Sequence, residues 1–328
     1  PEKYIATFRG VDGAMVFEDQ RYRFHLFDAE GHAMADSAEE LALKYGDRLG
    51  KALPYPPQQD MDHYHHLVKD AKGRIWWAKW SEGWGIVDGK RAIRGEMDDL
   101  KKTVPGGRFT VLYPIGDGTR VLLGFQAFRD GASGVYSVEK GRIVRLTDSP
   151  VKVVALSSVY PQTTAQADSS GRVWVMRDRD KPGPGLLRPV SQAIDSEGTP
   201  AATHRGWLVL EDGQKGLWFR QARSGPDCIM RLDADRRDAR LEVPNLTEAA
   251  SFAEAPDGSV WTLTRTELIR LKAEGDRLSI VERYPASVHD SDRVWCDRDG
   301  RVWMVHTTIG EGTPFTELIR FATTKSSE

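Results

Sequence analysis

The chain has 328 residues, with 46 basic against 48 acidic side chains, a formal net charge of −2 and 40% hydrophobic content, the profile of a globular protein. Two cysteines exclude a disulfide-stapled miniprotein, the balanced charge excludes a charge-driven disordered chain, and the lack of a basic excess argues against nucleic-acid binding, which needs one to displace counterions. Ten tryptophans are the compositional oddity.

The first sixty residues read as strands at Tyr4–Phe8, Ala14–Glu18 and Tyr22–Phe27. Gly10-Val-Asp-Gly13-Ala-Met-Val16 lies where a turn-and-strand motif met repeatedly further on would fall. Ser37-Ala-Glu-Glu40 is a capping box ahead of Leu41, Leu43 and Leu49, so a short helix is expected, followed by a Pro-rich lead at Leu53–Gln59. The chain starts at Pro1 rather than Met, so a leader or a longer chain is expected to precede it, and a periplasmic or extracellular location is favoured.

From residue 62 onward the chain repeats. Asp70-Ala-Lys-Gly73-Arg-Ile-Trp76 recurs as Asp168-Ser-Ser-Gly171-Arg-Val-Trp174 and Asp297-Arg-Asp-Gly300-Arg-Val-Trp303, and Ala255-Pro-Asp-Gly258-Ser-Val-Trp261 lacks only the first Asp. Two weaker copies are Asp117-Gly118-Thr-Arg-Val-Leu122, without Trp, and Asp212-Gly213-Gln-Lys-Gly-Leu-Trp218, read as carrying an extra turn residue. Counted from Trp or its equivalent Val121, the spacings are 45, 53, 44, 43 and 42 residues, which suits four-stranded propeller blades. The motif is structural. The Asp can accept backbone N–H bonds, the Gly can take a positive φ, and the residues that follow have strand composition. A third strand is expected after each copy, at 84–88, 134–138, 185–188, 228–232, 267–271 and 317–321. A second short helical insertion is expected at Met97–Lys102.

The expectation is therefore an all-β chain, one propeller domain over residues 1–328, with six recognisable blades in 62–323 and residues 1–60 forming either a degenerate seventh blade or a closure segment. Seven blades are favoured, and six blades closed by an N-terminal strand are the alternative. The five motif tryptophans Trp76, Trp174, Trp218, Trp261 and Trp303 should lie buried between blades, with Trp207 and Trp295 on innermost strands. Trp77, Trp80 and Trp84 are left over: Trp77 either packs on the next blade, which is favoured, or contributes to an exposed aromatic patch.

DxxGxxW followed by Gly-Leu-x-Arg or Leu-Ile-Arg resembles the two-component-regulator propeller repeat. More loosely, it is similar to the wider group of virginiamycin B lyase-like, strictosidine synthase-like and gluconolactonase-like propellers. The resemblance covers about residues 62–323. It implies the fold and a ligand site over the central channel, and it leaves the activity open, since fold does not fix function. Calcium held by Asn and acidic groups, as in gluconolactonase-like propellers, does not suit a chain whose only Asn is Asn245. A lyase like that acting on virginiamycin B would need paired histidines and an acid around magnesium, residue types that His204 and Glu248 supply.

Candidate site residues come from the segments leading into the anchor Asp. His63-Tyr-His65-His66 is the most unusual local composition in the chain. Seven positions before the anchor stand His63, Glu248 and Asp290 in three blades and, in a fourth, a residue between Thr203 and Arg205, which bracket His204; Pro161 and Arg108 hold the equivalent offset in two others. His63, His65, His204, Glu248 and Asp290 are thus the candidate ligand-binding residues at the channel mouth. His63, His204, Glu248 and Asp290 form a mixed nitrogen and oxygen set suited to a divalent metal. His25, His32 and His306 are read as structural.

The functional expectation is a non-catalytic module that binds a small molecule, glycan or protein over the channel. The alternative is a divalent-metal-assisted lyase or hydrolase using the same residues. No cofactor is expected, a divalent cation in the channel being the alternative. No nucleic-acid partner and no membrane span are expected, the longest apolar stretches falling short of the roughly 18 residues a membrane helix needs. Cys228 and Cys296 are read as ordinary, partly buried thiols.

Overall fold

The computed structural model describes residues 4–10, 14–19, 21, 23–28, 30–49, 52–53, 65–70, 72–79, 83–95, 108–126, 134–139, 142–145, 166–177, 190–221, 227–233, 238–246, 251–288, 292–297, 299–308 and 315–321. They form seven antiparallel sheets. The first contains β1 (Tyr4–Gly10), β2 (Met15–Asp19), β3 (Phe24–Asp28), β4 (Gly31–Ala35) and, after helix α1 (Ala38–Tyr45), the short β5 (Ala52–Leu53), in the order β4-β3-β2-β1-β5. The second is β6 (His65–Lys69), β7 (Ile75–Lys79), β8 (Gly83–Asp88) and β9 (Arg91–Gly95). The third is β10 (Arg108–Ile115), β11 (Arg120–Gln126), β12 (Gly134–Glu139) and β13 (Arg142–Arg145). The fourth is β14 (Gln166–Ala167), β15 (Val173–Arg177), β16 (Val190–Ile194) and β17 (Pro200–Arg205). The fifth is β18 (Trp207–Glu211), β19 (Leu217–Gln221), β20 (Cys228–Leu232) and β21 (Asp238–Glu242). The sixth is β22 (Phe252–Glu254), β23 (Val260–Leu263), β24 (Glu267–Glu274) and β25 (Arg277–Pro285), and the seventh is β26 (Arg293–Cys296), β27 (Val302–Thr308) and β28 (Phe315–Phe321).

Each of sheets two to seven is a simple meander, and their first strands neighbour one another: β6 with β10, β18 with β22, β22 with β26. β28 lies beside β1 and β5 beside β6, so the ring closes as a seven-bladed propeller. The N-terminal segment builds its own blade. β1 pairs with β2 and β5, and does not add to the seventh sheet, so the six-bladed alternative falls.

Among the described residues seven apolar clusters hold the ring, one at each blade boundary. Trp76, Trp84, Leu112 and Val121 join blades two and three; Trp174, Leu208 and Phe219 join four and five; Trp218, Phe252 and Ile269 join five and six. Met15, Phe17 and Trp295 close seven onto one. A twisted sheet stacked on another needs large, stiff filler, and an indole supplies it at low entropy cost. Trp76, Trp174, Trp218 and Trp261 are buried as expected, whereas Trp303 is only partly so. Trp295 is buried on its innermost strand; Trp207 begins the innermost β18. Trp77 and Trp84 are buried too, so they form no exposed aromatic patch, and Trp80 lies outside the described residues.

The turn chemistry explains the motif. Asp70 accepts from the Lys72 and Arg74 amides, from Arg74 Nε at 2.8 Å and from Trp76 Nε1 at 2.9 Å. Asp168 does the same with Ser170, Arg172 and Trp174, and Gly73, Gly171, Gly258 and Gly300 take positive φ. The fifth blade keeps this spacing: Asp212 N donates to Gly216 O and Trp218 Nε1 reaches Asp212 at 2.8 Å, with Lys215 at φ 64° in place of the glycine. The extra turn residue expected there does not exist.

Two further expectations shift. In blade one the motif turn is Asp19–Arg23, between β2 and β3, and not Gly10–Val16: Asp19 N donates to Arg23 O at 2.9 Å, as Asp70 N does to Arg74 O. In blade four the third strand is Val190–Ile194, and 185–188 lies outside the described residues. Helix α1 forms where expected, with Ser37 Oγ accepting from the Glu40 amide. Residues 97–102 are not described.

Candidate functional site

The anchor carboxylates are not available for chemistry, because their lone pairs are filled by the turn they organise. Burial alone would raise the Asp168 carboxyl; hydrogen bonds from Ser170 and Trp174 and the Arg172 charge outweigh it and hold it below the usual carboxylate range.

Of the expected channel-mouth residues, His63, Glu248 and Asp290 lie outside the described residues. His65 begins β6, an innermost strand, and its side chain is not described. His204 goes elsewhere. It sits on β17, the outermost strand of blade four, three strand spacings from the channel or roughly 14 Å at about 4.8 Å each. The seven-residue offset misplaced it because Gly206 alone (φ 88°) carries the chain from β17 to β18, leaving no loop before the inner strand. His204 therefore does not share a channel site with an innermost-strand residue. Among the described residues no three His, Cys, Asp or Glu side chains are grouped to hold a metal.

What the structure does bring together is a cleft of about 450 Å³ between blades four and five. The cross-strand row beside Trp174 makes it. Trp174 pairs with Ala193 and Ala193 with Ala202, so two methyl groups stand next to the indole. In blade two the same row is Trp76, Ile86 and Ile93; in blade six it is Trp261, Arg270 and Glu282; in blade five Arg231 stands beside Trp218. Longer side chains fill the row in blades two and six, and in blade four it stays open. The volume is within the range of small-ligand pockets, about 300–1,000 Å³.

The cleft is apolar at its base, with Trp174, Ala202, Leu217 and Leu232, and charged at its rim. At one end both Glu211 carboxylate oxygens accept from Ser169 N, at 2.9 and 2.7 Å, tying blade five to blade four. Arg172 lies over the Trp174 ring, 5.6 Å from its centre. At the other end the His204 ring stacks on Phe219 with centroids 4.0 Å apart, its Nδ1–H donates to Arg205 O at 2.8 Å, and Nε2 is left 3.7 Å from Asp238 Oδ1. Asp233 and Lys215 complete the walls. Sequence reading missed this cleft because the row of small residues appears only once β16 is placed at Val190–Ile194.

Near the start of the innermost strand of blade seven, the buried Asp292 carboxylate meets His306 Nδ1 at 2.9 Å. Arg293 donates from Nη1 to Asp292 O, and its burial lowers its pKa to about 9.

No protein-family model matches the chain, and no curated protein matches it in sequence. Solved structures match in fold. Kuenenia stuttgartiensis hydrazine synthase is 11% identical with a TM-score of 0.51, over 98% of this chain and 96% of that one. Apo AztD from Citrobacter koseri is 13% identical with a TM-score of 0.50, over 92% and 80%. The extracellular domain of a putative hybrid two-component system, BT3049 of B. thetaiotaomicron, is 12% identical with a TM-score of 0.48 over 92% of this chain, which spans only 38% of that structure's length. At these identities the likeness is one of fold alone. No helix among the described residues is long and apolar enough to cross a membrane.

Proposed function

We propose that the protein is a non-catalytic recognition module, a sensing propeller of the two-component-regulator type working outside the cytoplasm, and that its ligand seats in the cleft between blades four and five. The observation that carries this reading is the Trp174–Ala193–Ala202 row, which leaves a cleft open where the rows of blades two and six carry longer side chains. The repeat motif supports the propeller type, and the consumption of the anchor carboxylates by their own turns supports binding over catalysis.

The test is a ligand-observed NMR screen of neutral, cationic, anionic and glycan fragments against the wild-type protein and Ala202→Leu, which refills the row. Fragments that bind the wild type, are lost on Ala202→Leu and are recovered chemically unchanged are the expected result. Conversion of a bound fragment to product, or binding that Ala202→Leu leaves intact, would overturn the reading.

A further inference from the structure

We infer that the cleft between blades four and five takes a monocarboxylate carried on a short apolar body, with Lys215 receiving the carboxylate, a chemistry offered by a free branched-chain acid or by the C-terminal residue of a peptide. This rests on the recognition reading above and specifies its ligand.

Two independent observations single out Lys215. The first is conformational. Lys215 stands where Gly73, Gly171, Gly258 and Gly300 stand in four other motif turns, and it takes φ 64° there. A Cβ in the left-handed region is strained, and such strain gathers at ligand-binding positions, where a side chain is needed in spite of it. The second is electrostatic. Arg172 and Lys215 are the permanent cations lining the cleft. Arg172 Nε is held by Asp168 Oδ2 at 2.8 Å, whereas the Lys215 ammonium has neither a hydrogen bond nor an ion pair among the described residues. The acids of the cleft are already engaged: both Glu211 oxygens accept from Ser169 N, Asp233 has a partner of its own, and Asp238 faces His204 Nε2 at 3.7 Å. The charge left for a ligand to match is therefore positive. Blade five sets the direction of the rest of the ligand. From the Lys215 turn its wall runs outward through the paired residues Leu217, Leu232 and Asp238, on β19, β20 and β21. A carboxylate at Lys215 would lay its apolar body over Leu217 and Leu232, facing Trp174 and Ala202 across the cleft. Asp238 closes the outer end two strand spacings beyond β19, roughly 10 Å at about 4.8 Å each, which leaves room for a short body only. A second negative charge on the ligand would meet Glu211 or Asp238, so the site suits a monoanion over a phosphate.

The experiment uses the full chain and defined probes: 4-methylpentanoate, its neutral amide and isoamylammonium, with the acetylated tripeptide Gly-Gly-Leu as C-terminal acid and as C-terminal amide. Affinity is read by calorimetry for wild type, Lys215→Gly, Lys215→Arg and Ala202→Leu. Lys215→Gly relaxes the turn, so binding lost in that variant is not folding lost, and its thermal midpoint checks this. The inference expects 4-methylpentanoate or the tripeptide acid to bind saturably, about tenfold or more tighter than the amides and the ammonium. It expects a weakening of about tenfold on Lys215→Gly, recovery with Lys215→Arg, and loss on Ala202→Leu. Preference for the tripeptide acid over 4-methylpentanoate identifies a protein C-terminus as the source; the reverse identifies a free small acid. Binding of an amide or of isoamylammonium as tight as that of the acid, sensitive to Ala202→Leu, overturns the carboxylate assignment and leaves the recognition reading standing. Acid binding that Lys215→Gly leaves unchanged, or no binding of either acid, overturns the inference, and the fragment screen then decides the recognition reading separately.

Discussion

His25 holds Asp19 as tryptophan holds the anchor acid in other blades: His25 Nε2–H reaches Asp19 Oδ2 at 3.0 Å, where the Trp76 indole reaches Asp70 at 2.9 Å. Because the imidazole has a second nitrogen, the chain of bonds goes on, and Nδ1 accepts from His32 Nε2–H at 2.9 Å with the two rings stacked. The first blade thus keeps the repeat's geometry with a different side chain.

Acid stability should report this. Burial pushes the Asp19 carboxyl up, but bonds from His25, Arg23 and the amides of residues 21 and 23 outweigh it and hold it at about 2. A carboxyl depressed on folding adds stability that is complete above its unfolded pKa near 3.8 and is lost as pH falls toward 2, here about 2 kcal/mol. Urea unfolding at pH 6, 4 and 2.5 should show Asp19→Asn less stable than wild type at pH 6, with the gap narrowed to about a third by pH 2.5. A gap independent of pH would mean that the carboxylate's charge is not what matters.

Arg231 in the third strand takes over a role played by turn arginines in blades two and four. Gly216 stands at the Arg74 and Arg172 position, and Arg231 Nε reaches the buried Asp212 at 2.6 Å instead. A Cβ on Gly216 would run into that guanidinium. Arg231→Met leaves a buried carboxylate short of its counter-charge and should cost about 3 kcal/mol by denaturant titration. Adding Gly216→Arg to Arg231→Met should recover part of the loss, whereas Gly216→Arg alone should destabilise.

Lys215 occupies the left-handed region that Gly73, Gly171, Gly258 and Gly300 occupy in four other motif turns. Lys215→Gly removes that strain and should raise stability by a few tenths to about 1 kcal/mol, seen as a higher urea midpoint at unchanged slope.

The indole of Trp77 lies against the backbone of Gly85, where an added Cβ would sit 2.6 Å from Cε2 and Nε1. Gly85→Ala should therefore cost about 1–3 kcal/mol by overpacking the boundary of blades one and two, and it should broaden the Trp77 fluorescence signal. Gly31→Ala meets no neighbour at its Cβ and serves as the comparison for backbone strain alone, its φ being 107°.

Cys228 and Cys296 are buried thiols outside any disulfide, and burial raises the Cys228 thiol above its ordinary range. Both should react with a thiol reagent only at the rate of unfolding, with two equivalents released in denaturant. Rapid native labelling of either would place it on an accessible surface.

The repeat was legible in the sequence because its turn is local: an Asp, a left-handed Gly and a Trp six positions after the Asp satisfy one another within seven residues, so spacing alone reveals them. The same locality gave the blade rhythm and helix α1, whose cap at Ser37 and Glu40 is also a contact of near neighbours. Tertiary structure decided what depended on pairing between strands. The first blade's turn moved to Asp19 because a histidine can donate to the anchor as an indole does, which a search for tryptophan cannot detect. His204 went to the outer rim because one glycine, Gly206, suffices to cross between blades. The cleft exists because Ala193 and Ala202 fall in register with Trp174, and register is set by paired residues up to 21 positions apart in sequence, a relationship that composition and periodicity do not encode.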